Sequence, residues 1–309
     1  MKVPGIIFLI IFFIGISVFL AGCSRTEIPG ETSAKIKVLV TVLPEAGYVN
    51  AVGGERVEVF VAVPPGADPH TFEPSARDMV EFSDADIYFT LGKGILPFED
   101  NLVTRLSSIN PRMKVVETTQ GIDLLAGEEH HENRQDSATG ATGESREGPD
   151  PHVWVSMKNI PLMVDHINKA LSTIDPAYAP YYKQNRDAFL TNITLMDAEI
   201  RSMIEKAPQK QFISSHASWG YFARDYGLRQ VTIGQPGKEA TSKEIESLIR
   251  EAEDNNITII VTEPQYSRKA AEVIADSING SVVVADPLAP DTPRELQKLA
   301  KLLSRKGLN

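Results

Sequence analysis

Residues 64–74 read Pro64-Pro65-Gly66-Ala67-Asp68-Pro69-His70-Thr71-Phe72-Glu73-Pro74, and the rest of the chain is interpreted outward from this stretch. It follows an alternating apolar run, Val57–Val63, that predicts a strand, and precedes an amphipathic run, Ser75–Phe82, that predicts a helix. Proline fixes its own backbone torsion and restricts the residue before it, so the prolines stiffen this loop. We therefore predict that the loop holds the His70 imidazole at a set angle after the strand.

The setting of His70 recurs at two other histidines. Asp150-Pro151-His152 repeats the Asp-Pro-His sequence, and His216 also follows a short apolar run. Ligands of open parallel sheets bind at the carboxyl ends of the strands. We predict that His70, His152 and His216 converge on one metal ion.

A fourth ligand is expected from a carboxylate. Asp286 follows a predicted strand, and the proline after it stiffens its loop. Three imidazoles and one carboxylate match the ligand set of a closed tetrahedral zinc site. From the residues alone, Glu73 and Glu263 are alternatives to Asp286, and any single histidine has the alternative of a structural role. We assign such a structural or surface role to His166, which lies within a predicted helix.

The amino terminus resembles a lipoprotein signal peptide. Lys2 supplies a positive charge, Ile6–Leu20 forms an apolar core, and Leu20-Ala21-Gly22-Cys23 resembles a lipobox, whose cysteine becomes lipidated. The alternative is a transmembrane anchor, because the apolar run could nearly span a bilayer. Cys23 is the only cysteine in the sequence. A metal site in this chain must therefore use His, Asp or Glu.

The length and charge of the chain bound its class. Its 309 residues are enough for two ordinary domains. The formal net charge of −10 argues against nucleic acid as a partner, because binding to the phosphate backbone needs a basic surface.

Strands alternate with helices on both sides of one long helical run. This alternation predicts an α/β fold of two lobes, each a mostly parallel sheet flanked by helices. One long rigid helix joins the lobes, and the metal site is expected in the cleft between them. The predicted boundaries are 1–22 for the signal peptide, 23–35 for a tether, 36–174 for the N-terminal lobe, 175–207 for the linking helix and 208–309 for the C-terminal lobe. The alternative for the long helix is a single core helix.

An acidic loop over residues 127–149 interrupts the N-terminal lobe. It is rich in Gly, Ser and Thr and almost free of apolar residues, so we expect it to be disordered. It contains His130 and His131 within a run of glutamates. The functional interpretation is a weak metal-collecting loop, and the alternative is a solvated insert.

Five motifs resemble those of the zinc- and manganese-binding lipoproteins of ABC importers, the ZnuA-like family. They are Pro64-Pro-Gly-Ala-Asp-Pro-His-Thr-Phe-Glu-Pro-Ser75, Asp150-Pro-His-Val-Trp154, Ser215-His-Ala-Ser-Trp-Gly-Tyr-Phe222, Thr262-Glu-Pro-Gln-Tyr-Ser267 and Asp286-Pro-Leu288. The resemblance runs in order across residues 36–303. It implies two α/β lobes joined by one long helix, with the metal between the lobes. By position, the implied ligands are His70, His152, His216 and Asp286.

The third ligand position separates the zinc type from the manganese type. Manganese-type members resemble one another in having a glutamate there, whereas this chain has His216. A nitrogen-rich site suits zinc, and hard carboxylates suit manganese. The chain departs from some zinc-type members in lacking a late cysteine pair, in its shorter and histidine-poor acidic loop, and in Ala289, where glycine is commoner.

The resemblance implies a binding protein and not an enzyme. We expect it to capture Zn²⁺ outside the cytoplasmic membrane and deliver it to the permease of an ABC importer and its ATPase. We expect a monomer, held by lipid on Cys23 at the outer face of the bacterial cytoplasmic membrane or in the periplasm, with no nucleic-acid partner.

Three alternatives remain open from the sequence. The first is a manganese-binding homologue, with Mn²⁺ as cargo. The second is a zinc hydrolase, which would keep an open water position on three protein ligands, although the sequence has no His-Glu-x-x-His stretch. The third is an additional adhesin role, which has been suggested for family members on cell envelopes.

Overall fold

Two groups of short buried strands organise the computed structural model of the chain, which describes residues 34–127, 148–234 and 240–305. The predicted signal peptide, Cys23, nearly all of the predicted tether, and His130 and His131 lie outside these residues. Within the described ranges, no helix combines the length and apolar character needed to cross a membrane.

The first sheet is parallel throughout. Its strands, in chain order, are β1 (Ile36–Val40), β2 (Val57–Val61), β3 (Ile87–Thr90) and β4 (Lys114–Glu117). They lie in the spatial order β2-β1-β3-β4, with Ile36 opposite Val57 and Val38 opposite Ile87. Side chains of β1 and β3 are buried on both faces, as expected for strands covered by helices on two sides.

Four helices accompany this sheet in the first lobe. They are α1 (Leu43–Gly53), α2 (Ala76–Phe82), α3 (Pro97–Ile109) and α4 (Ile160–Ile174). Ser75 caps α2 in a capping box with Asp78, which fixes where the helix begins after the proline-rich loop. The loop therefore has a defined strand on one side and a capped helix on the other.

The second sheet has the same topology as the first. Its strands are β5 (Gln211–Ser214), β6 (Arg229–Thr232), β7 (Ile259–Thr262) and β8 (Ser281–Val284). All pairs are parallel, in the order β6-β5-β7-β8. The accompanying helices are α6 (Gly220–Tyr226), α7 (Ser242–Asp254), α8 (Lys269–Ser277) and α9 (Thr292–Leu303).

One helix, α5 (Ala179–Glu205), lies between the two sheets. Its 27 residues span about 40 Å at 1.5 Å per residue. It contacts α1 and α4 of the first lobe and α9 of the second. The predicted fold of two parallel-sheet lobes and one long helix is therefore confirmed.

Two local predictions differ from the structure. The run over residues 175–207 does not begin as an α-helix, because Pro176–Tyr178 forms a 3₁₀ turn and α5 begins at Ala179, with Pro180 in its first turn. The sequence Thr292-Pro293-Arg294-Glu295 has the pattern of a capping box and predicts Thr292 as the cap of α9, but the cap is Asp291, whose side chain accepts the backbone N–H of Arg294.

Candidate metal centre

The proline-rich loop presents His70 at the carboxyl edge of the first sheet. Asp68 closes a tight turn, because its Oδ1 accepts the backbone N–H of His70 at 2.9 Å. Pro69 is buried, whereas His70 keeps an exposed side. The loop thus anchors its backbone and leaves the imidazole projecting from the turn.

Asp150 sets the orientation of His152. One oxygen, Oδ1, accepts both the backbone N–H of His152 at 2.9 Å and its ring Nδ1 at 2.7 Å. Because a carboxylate accepts and does not donate, Nδ1 carries a proton, and in the neutral ring the lone pair then lies on Nε2. This is the arrangement by which a carboxylate orients a metal-binding imidazole.

His216 comes from the second lobe, directly after β5. Its backbone carbonyl accepts Ser214 Oγ at 2.8 Å and Gln230 Nε2 at 2.8 Å. Its ring packs against Tyr266, with the ring centroids 5.0 Å apart and the ring planes inclined by 32°. Backbone and ring are therefore both fixed.

The three imidazoles meet where the two lobes face each other. The Nε2 atoms of His70 and His216 are 3.1 Å apart, and one ring nitrogen from each of the three histidines lies within 4.8 Å of the others. Two nitrogens bound to one tetrahedral Zn²⁺ would be about 3.3 Å apart. The nitrogens of His70 and His216 are thus spaced close to what a shared cation requires.

The environment keeps two of these rings neutral. Burial, followed by the charge of His152, lowers the pKa of His216 to about 2 and that of the more exposed His70 to about 4. At neutral pH both rings offer lone pairs, so a cation does not have to displace protons from them.

Asp286 lies beside the three histidines without joining them. Its carboxylate oxygens do not come within 4.8 Å of all three imidazole nitrogens. Instead Oδ1 accepts Gln265 Nε2 at 3.0 Å and the backbone N–H of Leu288 at 3.0 Å. The carboxylate borders a neighbouring cavity of about 280 Å³, lined mainly by apolar side chains.

The two alternative carboxylates, Glu263 and Glu73, differ in burial and in position. Glu263 lines the same pocket as the histidines, and Ser218 Oγ lies 2.8 and 3.0 Å from its two carboxyl oxygens. Burial raises the pKa of Glu263 to about 8, so it holds a proton at neutral pH and is a poor ligand in that state. Glu73 is exposed and does not belong to the histidine group.

His166 lies within hydrogen-bonding distance of the carbonyl of Gln120 at 2.9 Å, away from the group.

Buried hydrogen bonds fix the His152 segment within the first lobe and tie it to the Asp286 segment of the second. Trp154 Nε1 donates to the carbonyl of Pro287 at 2.7 Å, and Tyr48 Oη donates to the carbonyl of Trp154 at 3.1 Å. Sequence reasoning did not single out Tyr48, Gln265 or the role of Asp150. The repeated Asp-Pro-His sequence was the signal that could have identified Asp150.

Comparison with known proteins gives the family. The profile described as "Zinc-uptake complex component A periplasmic", ZnuA, matches residues 38–305. The chain belongs to the ZnuA family. The ZnuA profile covers both lobes, the long helix, and the positions of His70, His152, His216 and Asp286.

Curated relatives of this ZnuA-family chain include zinc-binding proteins. "Zinc-binding protein AdcA" of Streptococcus pyogenes serotype M1 is 30% identical over 299 residues, covering 91% of this chain and 56% of the relative. The chain thus spans little more than half the length of that relative. A "Putative metal-binding protein" of Treponema pallidum is 31% identical over 270 residues, covering 86% of this chain and 84% of the relative.

Solved structures show the same fold. "Crystal structure of ZnuA" superposes with a TM-score of 0.77 at 32% identity, covering 87% of this chain and 98% of that one. The Zn(II)-bound AdcA of Streptococcus pneumoniae superposes with a TM-score of 0.70 at 23% identity, covering 89% of this chain and 59% of that one.

Proposed function

We propose that this protein is the extracytoplasmic Zn²⁺-binding component of an ABC importer, which captures the ion and delivers it to the permease. The observation that carries the proposal is the meeting of His70, His152 and His216 at the junction of the lobes. Zinc-binding relatives and the ZnuA family description support zinc as the cargo. The family description is that of an uptake component, which supports a binding protein over a hydrolase.

The proposed ligands are His70, His152, His216 and Asp286. The imidazoles supply three nitrogens that are already close together, so capture needs little rearrangement of the first three ligands. Asp286 completes a tetrahedral set by turning its side chain toward them. Imidazole nitrogens favour Zn²⁺ over Mn²⁺, which is the alternative cargo.

The proposal includes the membrane anchor, the domain boundaries and the partner of the protein. Residues 1–22 are a lipoprotein signal peptide, and lipid on Cys23 anchors a monomer through a tether at 23–35. The lobes occupy 36–174 and 208–309, with the linking helix assigned to 175–207. The two lobes present the loaded site to the permease of an ABC importer.

Metal competition tests this function. Protein stripped with a chelator is titrated with Zn²⁺ and with Mn²⁺ against a metal-sensitive dye. Micromolar or tighter zinc binding with negligible manganese binding is expected, and equal binding of both ions would contradict the zinc assignment.

Variants test the ligand set. His216→Ala leaves two imidazoles and should lower zinc affinity at least tenfold. His166→Ala is the matched control, since His166 contacts Gln120 and not the site, and it should bind zinc as the wild type does. Wild-type zinc binding by His216→Ala would overturn the site.

A further inference from the structure

The Asp286 carboxylate is already engaged by other groups. Gln265 Nε2 and the backbone N–H of Leu288 both donate to Oδ1, each at 3.0 Å. In this position the carboxylate does not belong to the group of three imidazoles. Any approach of Oδ1 to a cation there must give up or rearrange these two hydrogen bonds.

The Gln265 amide has only one orientation that satisfies the carboxylate. An ionised carboxylate only accepts hydrogen bonds, so the amide nitrogen and not the oxygen must face Asp286. The other end of the amide, Oε1, is buried and has no hydrogen-bond partner among the described residues. Gln265 is thus committed to Asp286 and gains nothing from other neighbours at its oxygen.

Gln265 lies between the pocket of the histidines and a neighbouring cavity. Its side chain lines the histidine pocket and also the adjacent cavity of about 280 Å³ that Asp286 borders. Gln265 is therefore in contact with both the pocket of the histidines and the cavity that Asp286 borders.

The backbone around Asp286 is fixed, so the available motion is a side-chain rotation. The backbone N–H of Asp286 donates to Glu295 Oε1 at 3.0 Å, and the carbonyl of Pro287 accepts Trp154 Nε1 at 2.7 Å. These bonds hold the loop to α9 and to the loop of His152. Movement of the carboxylate therefore does not require movement of a lobe.

We propose that Gln265 is a positioning residue that sets the rate of cation release by holding the Asp286 carboxylate away from the three imidazoles. This rests on the proposed function, in which Asp286 is the fourth ligand. A bound cation and the Gln265 amide compete for the position of the same carboxylate. Removing the amide donor removes the competitor and favours the closed, four-ligand site.

The expected effect is slower release. A hydrogen bond to a charged group contributes enough that its removal changes an equilibrium about 10-fold or more. Gln265→Leu keeps a similar side-chain volume and loses the donor, so zinc dissociation should slow about 10-fold. Gln265→Met is a second, unbranched variant with the same expectation, should the leucine side chain disturb folding.

The experiment is stopped-flow zinc dissociation from the full chain into excess chelator, with thermal unfolding of each variant recorded in parallel. The control is Gln297→Leu, because Gln297 also donates its amide to a carboxylate, that of Glu199, but does so on an exposed surface. It should release zinc at the wild-type rate.

The Asp286→Ala background separates positioning from general structure. Asp286→Ala should release zinc faster than the wild type, and adding Gln265→Leu to it should change nothing. Dissociation from Gln265→Leu that is unchanged or faster overturns the proposal, as does equal slowing in the Asp286→Ala background. Asp286→Ala that releases zinc at the wild-type rate also overturns the role of Gln265. If only the histidine variants lose zinc binding, the proposed zinc-binding function still stands.

Discussion

Trp154 donates its indole N–H to the carbonyl of Pro287 at 2.7 Å, and both groups are buried where the two lobes meet. The bond joins the segment that carries His152 to the segment that carries Asp286. The proposed cation site draws on both lobes and needs such a tie, because its proposed ligands come from segments that are far apart in the sequence. The first prediction follows from this contact.

Trp154→Phe should lower the free energy of unfolding by about 1–3 kcal/mol. The variant loses the donor and leaves the buried carbonyl of Pro287 without its partner. Urea unfolding monitored by far-UV circular dichroism measures the change. Tyr48→Phe, which removes the hydroxyl that donates to the Trp154 carbonyl, should show a similar loss. Unchanged stability in both variants would contradict the role of this tie.

Asp150→Ala should weaken zinc binding about 10–100-fold, because the carboxylate that holds the His152 ring and its tautomer is removed. Asp150→Asn keeps an acceptor for Nδ1–H and should lose less. Competition titration of both variants measures the effect. Asp84→Asn, at an exposed ion pair with Lys37, is the control with wild-type affinity. Full affinity in Asp150→Ala would rule out this orienting role.

Gly47→Ala should destabilise the protein by about 1–3 kcal/mol. A Cβ at Gly47 would lie 2.1 Å from the backbone carbonyl oxygen of Pro290, which cannot move aside as a flexible side chain could. This contact joins α1 of the first lobe to the Asp286 loop of the second. Thermal unfolding checks the loss, and a melting temperature equal to that of the wild type would show that the contact is not tight.

Two buried carboxyls predict how stability depends on pH. Burial, followed by the charge of Glu99, raises the pKa of Glu45 to about 8, and burial raises that of Glu99 to about 7. Both are bonded to Thr41, at the carboxyl edge of the first sheet. Through these two carboxyls the folded protein binds more protons than the unfolded chain between about pH 4.5 and 8.

The direction in which stability changes with pH follows from this difference in bound protons. The contribution of Glu45 and Glu99 to the free energy of unfolding should fall as pH rises through that window, by about 1.4 kcal/mol for each unit by which a folded-state pKa is raised. Glu45→Gln mimics the protonated side chain and should make this decline shallower. Urea unfolding of both proteins at pH 5 and pH 8 measures the difference, and parallel declines would show that Glu45 is not the group responsible.

Strand and helix order could be predicted because each element carries its own local signal. Alternating apolar residues predict β2, as the structure confirms. The spacing of Thr241 and Glu244 predicts a capping box at the start of α7, and both of its reciprocal hydrogen bonds are present. The predicted strands before His70 and His216 placed these two histidines at strand ends, where parallel sheets bring residues together, and the repeated Asp-Pro-His sequence linked His152 to them.

The hydrogen-bond networks between elements could not be predicted from the sequence. Gln265 reaches Asp286 across 21 positions, and Trp154 reaches Pro287 across 133. Such pairs depend on how the lobes pack and on side-chain rotamers, neither of which leaves a periodic pattern. At the start of α9, Asp291 and Thr292 are both suitable caps, and in the structure the Thr292 hydroxyl donates to the carbonyl of Ala289 while Asp291 accepts the N–H of Arg294.

The central claim is that three imidazoles from two lobes bind one zinc ion. Anomalous diffraction at the zinc edge, on crystals of the zinc-loaded protein, tests it directly. We predict a single peak about 2.0–2.1 Å from a ring nitrogen of His70, His152 and His216. A peak elsewhere, or no peak between these rings with zinc supplied in excess, would contradict the account.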